Sequence, residues 1–239
     1  MFVEEEELTA AHRQRPRLVA DTSLYPFLSK YLEREFDRDI RQPAADTPFP
    51  ADYELAPLML SSVNAANDGS AEAAAEKAFI NICNQNQANP VILRLPPFVI
   101  GTGMQGLPRT LARGVARGTM LKIKDNEAEV STVHAVDIAR VAAILATSRP
   151  HSPLVVNVPG ITVRINDLIE ALGVRIKNKR VGSIKPFWAK ALYGQSLYAD
   201  LTTSLIFDDT AIKTLLPEDF VFQNPAEYLT THVYDHESL

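Results

Sequence analysis

Two adjacent hydroxyls, Ser61 and Ser62, end the apolar run Leu58-Met59-Leu60, and the amine of Lys77 follows in Ala73-Ala74-Ala75-Glu76-Lys77. A second apolar run, Val91-Ile92-Leu93, leads through Pro96-Pro97-Phe98 to Gly101-Thr102-Gly103. This reads as strand, helix, strand, with polar chemistry just beyond the carboxyl ends of two strands, where open parallel sheets keep their ligand sites. Other groupings are chemically conceivable. Arg109, Arg113 and Arg117 recur every four residues and could hold a diphosphate, although opposite Leu107, Leu111 and Val115 they equally describe an ordinary surface helix. His134 and Asp137 form a pair on paper, and His232, Asp235 and His236 could be written as metal ligands. Cys83 sits on an apolar stripe and reads as core.

The elements that must position these residues follow from periodicity. Residues 1 to 20 are charged with little period and read as a loosely packed arm. Leu24, Phe27, Leu28, Tyr31 and Leu32 predict a helix over 24–36, and Pro43, Pro48 and Pro50 mark a connector. Asn67-Asp68-Gly69-Ser70 is a turn and helix start. The helix after it should set Ala75, Ala78, Phe79, Ile82 and Cys83 inward and Ser70, Ala73, Lys77, Asn81 and Asn84 outward. Leu107 to Gly118 is a further helix, with Pro108 in its first turn and the glycine at its end. Leu121–Lys124 and Glu129–His134 read as strands around the turn Asp125-Asn126. A helix follows through Ile138, Val141, Ala142 and Leu145, then a strand over 154–158. Thr162 is the expected N-cap of a helix that Gly173 closes. Pro186 opens a helix over 187–201, and Asp208-Asp209-Thr210 caps a short one that Pro217 stops. The expected organisation is an arm, helix and connector over 1–52, a core over 53–160 and a smaller portion over 161–239.

The 239 residues are 46% hydrophobic, enough for a real core, and the net charge is −5. Neither nucleic acid nor an anionic membrane surface is an expected partner on that charge. One cysteine excludes an internal disulfide framework and suits a reducing compartment. The acidic start, Glu4 to Glu7, is unlike a secretory leader, and the default location is cytoplasmic.

Four stretches together resemble the extended short-chain dehydrogenase/reductases, the NAD-dependent epimerase/dehydratase family acting on nucleotide sugars. Leu58 to Ser62 is similar to its serine-bearing strand, and Glu72 to Phe79 to its Tyr-x-x-x-Lys helix. Ile92 to Gly103 is similar to its Leu-Arg-Pro-Pro-x-Val-Tyr-Gly-Pro-Gly strand and loop, and Ser131 to Ala139 to its Val-His-Val-Asp-Asp-Val-Ala segment. The likeness covers roughly 56–216. It implies an α/β fold: an incomplete Rossmann-like parallel sheet with flanking helices and a small C-terminal substrate-side portion. It also implies Ser62 and Lys77 as catalytic residues, with Lys77, Pro96 and Pro97 beside an NAD(P) cofactor. A nucleotide sugar is the implied ligand, and a homo-oligomer formed through the Ala75 to Cys83 helix the implied assembly.

The departures are specific. Ala73 stands where the family has its tyrosine, and a methyl group transfers no proton. A dinucleotide-binding turn needs glycines whose bare backbone approaches the pyrophosphate, yet the first glycine in the chain is Gly69. Leu95 takes the place of the arginine before the prolines, with Arg94 one residue early. Glu127 and Glu129 carry the wrong sign for a phosphate. The sequence therefore predicts a truncated, catalytically degenerate relative. An active NAD(P)-dependent epimerase/dehydratase or oxidoreductase is the alternative, and a non-enzymatic binding or scaffold domain completed by a partner chain is a second.

Overall fold

The computed structural model describes residues 18–36, 40–43, 49, 55–177, 180–208 and 210–224. In chain order the strands and helices are β1 (Leu18–Asp21), α1 (Ser29–Phe36), β2 (Ile40–Arg41), β3 (Leu58–Ser62), α2 (Ala71–Gln85), β4 (Val91–Leu95), β5 (Phe98–Ile100), α3 (Gly106–Arg117), β6 (Lys122–Ile123) and β7 (Glu129–His134). They continue with α4 (Ala135–Thr147), β8 (Leu154–Asn157), β9 (Ile161–Arg164), α5 (Ile165–Lys177), β10 (Ser183–Ile184), α6 (Pro186–Thr202) and α7 (Thr210–Leu215). The chain divides into two compact units, one of 1–93 with 139–156 and the other of 94–138 with 157–239.

The first unit is built on a sheet of order β2-β1-β3-β4-β8, in which β1 runs parallel to both its neighbours. Leu18, Leu58, Leu60, Ile92 and Leu93 are fully buried along it. Each such side chain taken out of water stabilises the fold by roughly 1.5–3 kcal/mol before entropy is counted. Met59, Phe79, Cys83 and Ile92 form one cluster between sheet and α2. Residues 1–17 of the expected arm, and most of the expected connector, lie outside the described residues; from Leu18 the chain is a short buried strand, four residues being too few to show a period. The helix foreseen over 24–36 begins with a 3-10 turn at Pro26–Leu28 and keeps Leu28 and Leu32 inside. Ser70 caps α2 as expected, its Oγ accepting from the Ala73 amide at 3.0 Å. The inward face of α2 is Ala73, Glu76, Phe79 and Cys83, while Ala78 is exposed. Ala73 is therefore core rather than part of the polar face.

The second unit has a three-stranded sheet, β5-β7-β9, with β5 parallel and β9 antiparallel to β7, and a separate pair, β10-β6. Phe98, Ile100, Leu111, Val115, Val130 and Leu168 belong to its core. Gly118 ends α3 in the left-handed conformation at φ 75°. Thr162 proves to be a strand residue opposite Ser131, and the first amide of α5 bonds the Ala128 carbonyl at 3.0 Å, so no side-chain cap is needed there. Helix α5 continues through Gly173 to Lys177, because Ile176 still packs on the core. The strands around Asp125-Asn126 do not pair with each other: β6 pairs with β10.

Candidate functional site

Strand order in the first unit reverses between β1 and β3. The chain steps from β1 out to β2 and then returns past β1 to β3, β4 and β8. A doubly wound sheet places its ligand crevice at such a reversal. Two strand ends meet there, Asp21 closing β1 with Thr22-Ser23 beyond it, and Ser62 closing β3. The first is tied up locally: the Ser23 amide donates to Asp21 Oδ1 at 2.9 Å. Thr22 Oγ1 accepts from Gln42 Nε2 and shares a hydrogen bond with Ser29 Oγ, both at 2.8 Å.

Ser62 caps the 3-10 turn that follows, its Oγ accepting from the Asn64 amide at 3.1 Å. The same hydroxyl hydrogen-bonds the phenol of Tyr25, delivered by the loop after β1. Burial pushes this phenol up to about 12, and the Glu72 carboxylate adds to the rise against the opposing hydrogen bond from Ser62. At neutral pH Tyr25 is therefore a proton donor and not a phenolate. Ser61 is fully buried, and its Oγ has no partner among the described residues. Lys77 leans out of α2, 66% exposed, and pairs with Asp68 at 3.3 Å. Cys83 is fully buried, and desolvation pushes its thiol up to about 12.

A dinucleotide cofactor does not fit the loop after β1. It reads Thr22-Ser23-Leu24-Tyr25-Pro26, with no glycine to bare the backbone and a proline that lacks an amide hydrogen. The one loop amide with a side-chain partner is already bonded to a carboxylate, and a pyrophosphate would meet that negative charge.

Pro96 and Pro97 belong to the second unit and link β4 to β5, Pro96 buried and Pro97 exposed. His134 and Asp137 are both fully buried. His134 Nδ1 accepts from the Val136 amide at 3.2 Å, and Asp137 Oδ2 accepts from the Gln223 amide at 2.6 Å. These are backbone fasteners. Arg113 and Arg117 are exposed on α3, and Arg109 is half-buried. Among the described residues no group of acidic, histidine or cysteine side chains could hold a metal ion. His232, Asp235 and His236 lie outside the described residues.

Tyr25 is the residue that sequence reasoning missed. Its signal was present: Leu18-Val19-Ala20 followed by Asp21-Thr22-Ser23 repeats the pattern of Leu58-Met59-Leu60 followed by serines.

No protein-family model and no curated protein matches the sequence. Solved structures do match the fold. The chain is similar to UDP-N-acetylglucosamine 4-epimerase from Bacillus cereus, at 12% identity and a TM-score of 0.60, over 90% of this chain and 97% of that one. It is similar to MoeE5 in complex with UDP-glucose and NAD, at 15% identity and 0.59, over 91% and 97%. It is also similar to RMD from Pseudomonas aeruginosa complexed with NADPH, at 13% and 0.58, over 90% and 97%. These likenesses define the fold class: the chain is an α/β protein with a Rossmann-like fold.

Proposed function

We propose that the chain is a catalytically degenerate member of the extended short-chain dehydrogenase/reductases, descended from enzymes acting on nucleotide sugars. The observation that carries this reading is the loop after β1, whose Ser23 amide holds the Asp21 carboxylate and which has no glycine. The remaining chemistry agrees. Ala73 is a buried methyl, and Lys77 pairs with Asp68 in solvent. Ser62 is engaged by Asn64 and Tyr25. Of the implied cofactor-side residues, Lys77 is turned to solvent and Pro97 is exposed. The ligand this reading retains is a nucleotide sugar, and the buried thiol of Cys83 suits a reducing, cytoplasmic setting.

Titration calorimetry with NAD, NADP and UDP-glucose tests it. Silence for both dinucleotides up to millimolar concentration is expected, and micromolar binding of either overturns the reading. A homodimer through α2, which exposes Ala74 and Ala78 one turn apart, completes the proposal. A monomeric mass in light scattering at high concentration would remove that part.

One observation favours a second reading, an active NAD(P)-dependent enzyme. The Tyr25 phenol beside Ser62 replaces in kind the tyrosine absent at position 73, and it would supply a proton. Turnover of a nucleotide sugar that Tyr25→Phe abolishes would establish this reading in place of the first.

A further inference from the structure

The first two turns of α6 present an apolar ridge to solvent. Phe187 is 76% exposed, Trp188 59% and Leu192 53%, and Ala191 lies among them. Only Ala189 and Tyr193 of this segment face inward, Tyr193 being pinned by its hydroxyl. That hydroxyl donates to the Leu121 carbonyl at 2.8 Å and accepts from the Leu121 amide at 2.7 Å. At Gly194 the helix kinks (φ 76°, ψ 169°), so the ridge ends there. Burial has been inverted here: a globular protein turns such side chains toward its core, and a contiguous exposed patch of this kind marks a contact surface.

The charge around the ridge states what it contacts. Lys190 lies on one flank at helical spacing and Lys185 precedes the first turn as its N-cap, both exposed. Arg113 and Arg117 of α3 line a shallow cavity of about 440 Å³ on the Leu192 side. A smaller recess beside Trp188 is lined by Ile184, Ala191 and Leu192. Among the described residues neither cavity has an Asp or Glu in its wall. The sequence pattern agrees: residues 171 to 199 hold six Lys or Arg and no Asp or Glu, in a chain whose net charge is −5. Aromatic and leucine side chains projecting between lysines are the composition of a segment lying in a lipid headgroup region. Protein–protein interfaces, by contrast, are depleted in lysine.

We propose that Phe187, Trp188 and Leu192, rimmed by Lys185, Lys190 and Arg117, form a docking surface for an anionic lipid bilayer. The apolar tips enter the headgroup boundary, and the cations hold the lipid phosphates. The whole-chain charge argues against such a partner; the local charge reverses that expectation. The contact proposed is a peripheral one; among the described residues no helix is long and apolar enough to cross a membrane. The surface is independent of the catalytic reading, and calorimetry with dinucleotides leaves it untouched.

Trp188 is the only tryptophan in the chain, so its fluorescence reports the event directly. The full chain is titrated with vesicles of phosphatidylcholine alone and of phosphatidylcholine mixed equally with phosphatidylglycerol. Emission is expected to shift to the blue, with protection from acrylamide, on the anionic vesicles only, and to revert in ~0.5 M salt, where charges are screened within a few ångströms. Lys185→Gln with Lys190→Gln should lower partitioning about 25-fold, each cation near the surface being worth about fivefold. Phe187→Ala with Leu192→Ala should abolish the shift, while thermal melting of both variants stays that of the parent, because all four side chains are exposed. No shift on anionic vesicles, or an equal shift on neutral ones, overturns the proposal. So does a shift that grows with protein concentration without lipid while the mass doubles, which would assign the face to a second copy.

Discussion

Two strand ends in this molecule carry residues that look catalytic, and they have met different fates. At the end of β7, His134 and Asp137 are buried and bonded to main-chain amides. At the end of β3, the Ser62 hydroxyl holds only an exposed amide, that of Asn64, and meets a phenol from another strand end, while Lys77 stands in solvent. Buried side chains that fasten backbone are structural whatever their chemical type. Side chains that stand in water, or hold an exposed turn, can change without unravelling the fold. The first strand end should therefore be intolerant and the second permissive.

The largest effect is expected beside β7. Gly160 adopts φ +66°, and a Cβ there would lie 1.9 Å from the Thr132 carbonyl oxygen of β7. Gly160→Ala should cost more than about 4 kcal/mol, beyond ordinary mutational losses, and leave little folded protein by circular dichroism. A melting curve like the parent's would break the contrast. Asp137→Ala comes next. It removes the acceptor of the Gln223 amide, and losing a buried hydrogen-bonding partner costs roughly 1–3 kcal/mol. Denaturant titration should show the loss, with hydrogen exchange faster at Gln223.

Tyr25→Phe should cost only about 1 kcal/mol at neutral pH, the net worth of one hydrogen bond. Its signature is at alkaline pH. The folded phenol is pushed up to about 12 from 10, so below pH 10 its contribution is fully present. Between pH 10 and 12 the unfolded chain ionises while the folded one does not, and stability falls by about 1.4 kcal/mol per unit. The phenylalanine variant should lack that component of the alkaline slope; an unchanged slope would mean the phenol is not held as described. The smallest effect belongs to Lys77→Ala, since an exposed pair contributes less than about 1 kcal/mol. A loss larger than that in a denaturant titration would place Lys77 among the fasteners and erase the comparison.

Much of this was legible from residues alone. Leu58-Met59-Leu60, the cap at Ser70, the αL stop at Gly118 and the opening at Pro186 all act through local chemistry, and each was found where its signal stood. What escaped depended on partners distant in the chain. Strand β1 is four residues long and earns its place only by pairing with β2 and β3. Thr162 looks like a cap until β7 claims it for the sheet. Ala73 falls on the polar face by sequence spacing, but the packing of α2 on its sheet rotates it inward. At the candidate site Lys77 answers Asp68, and the phenol that reaches Ser62 comes from a stretch read as helix. The ridge of α6 was hidden by averaging, because a net charge summed over the chain conceals a basic segment within it.

The single sulfhydryl of this protein lies at Cys83, sealed in the first unit's core and too weak an acid to react near neutrality. Maleimide reagents should pass the folded chain by. One cysteine introduced on the outer face, for instance at Ser196, would then be the sole labelling point, and spectroscopic probes could be attached without first removing the native thiol.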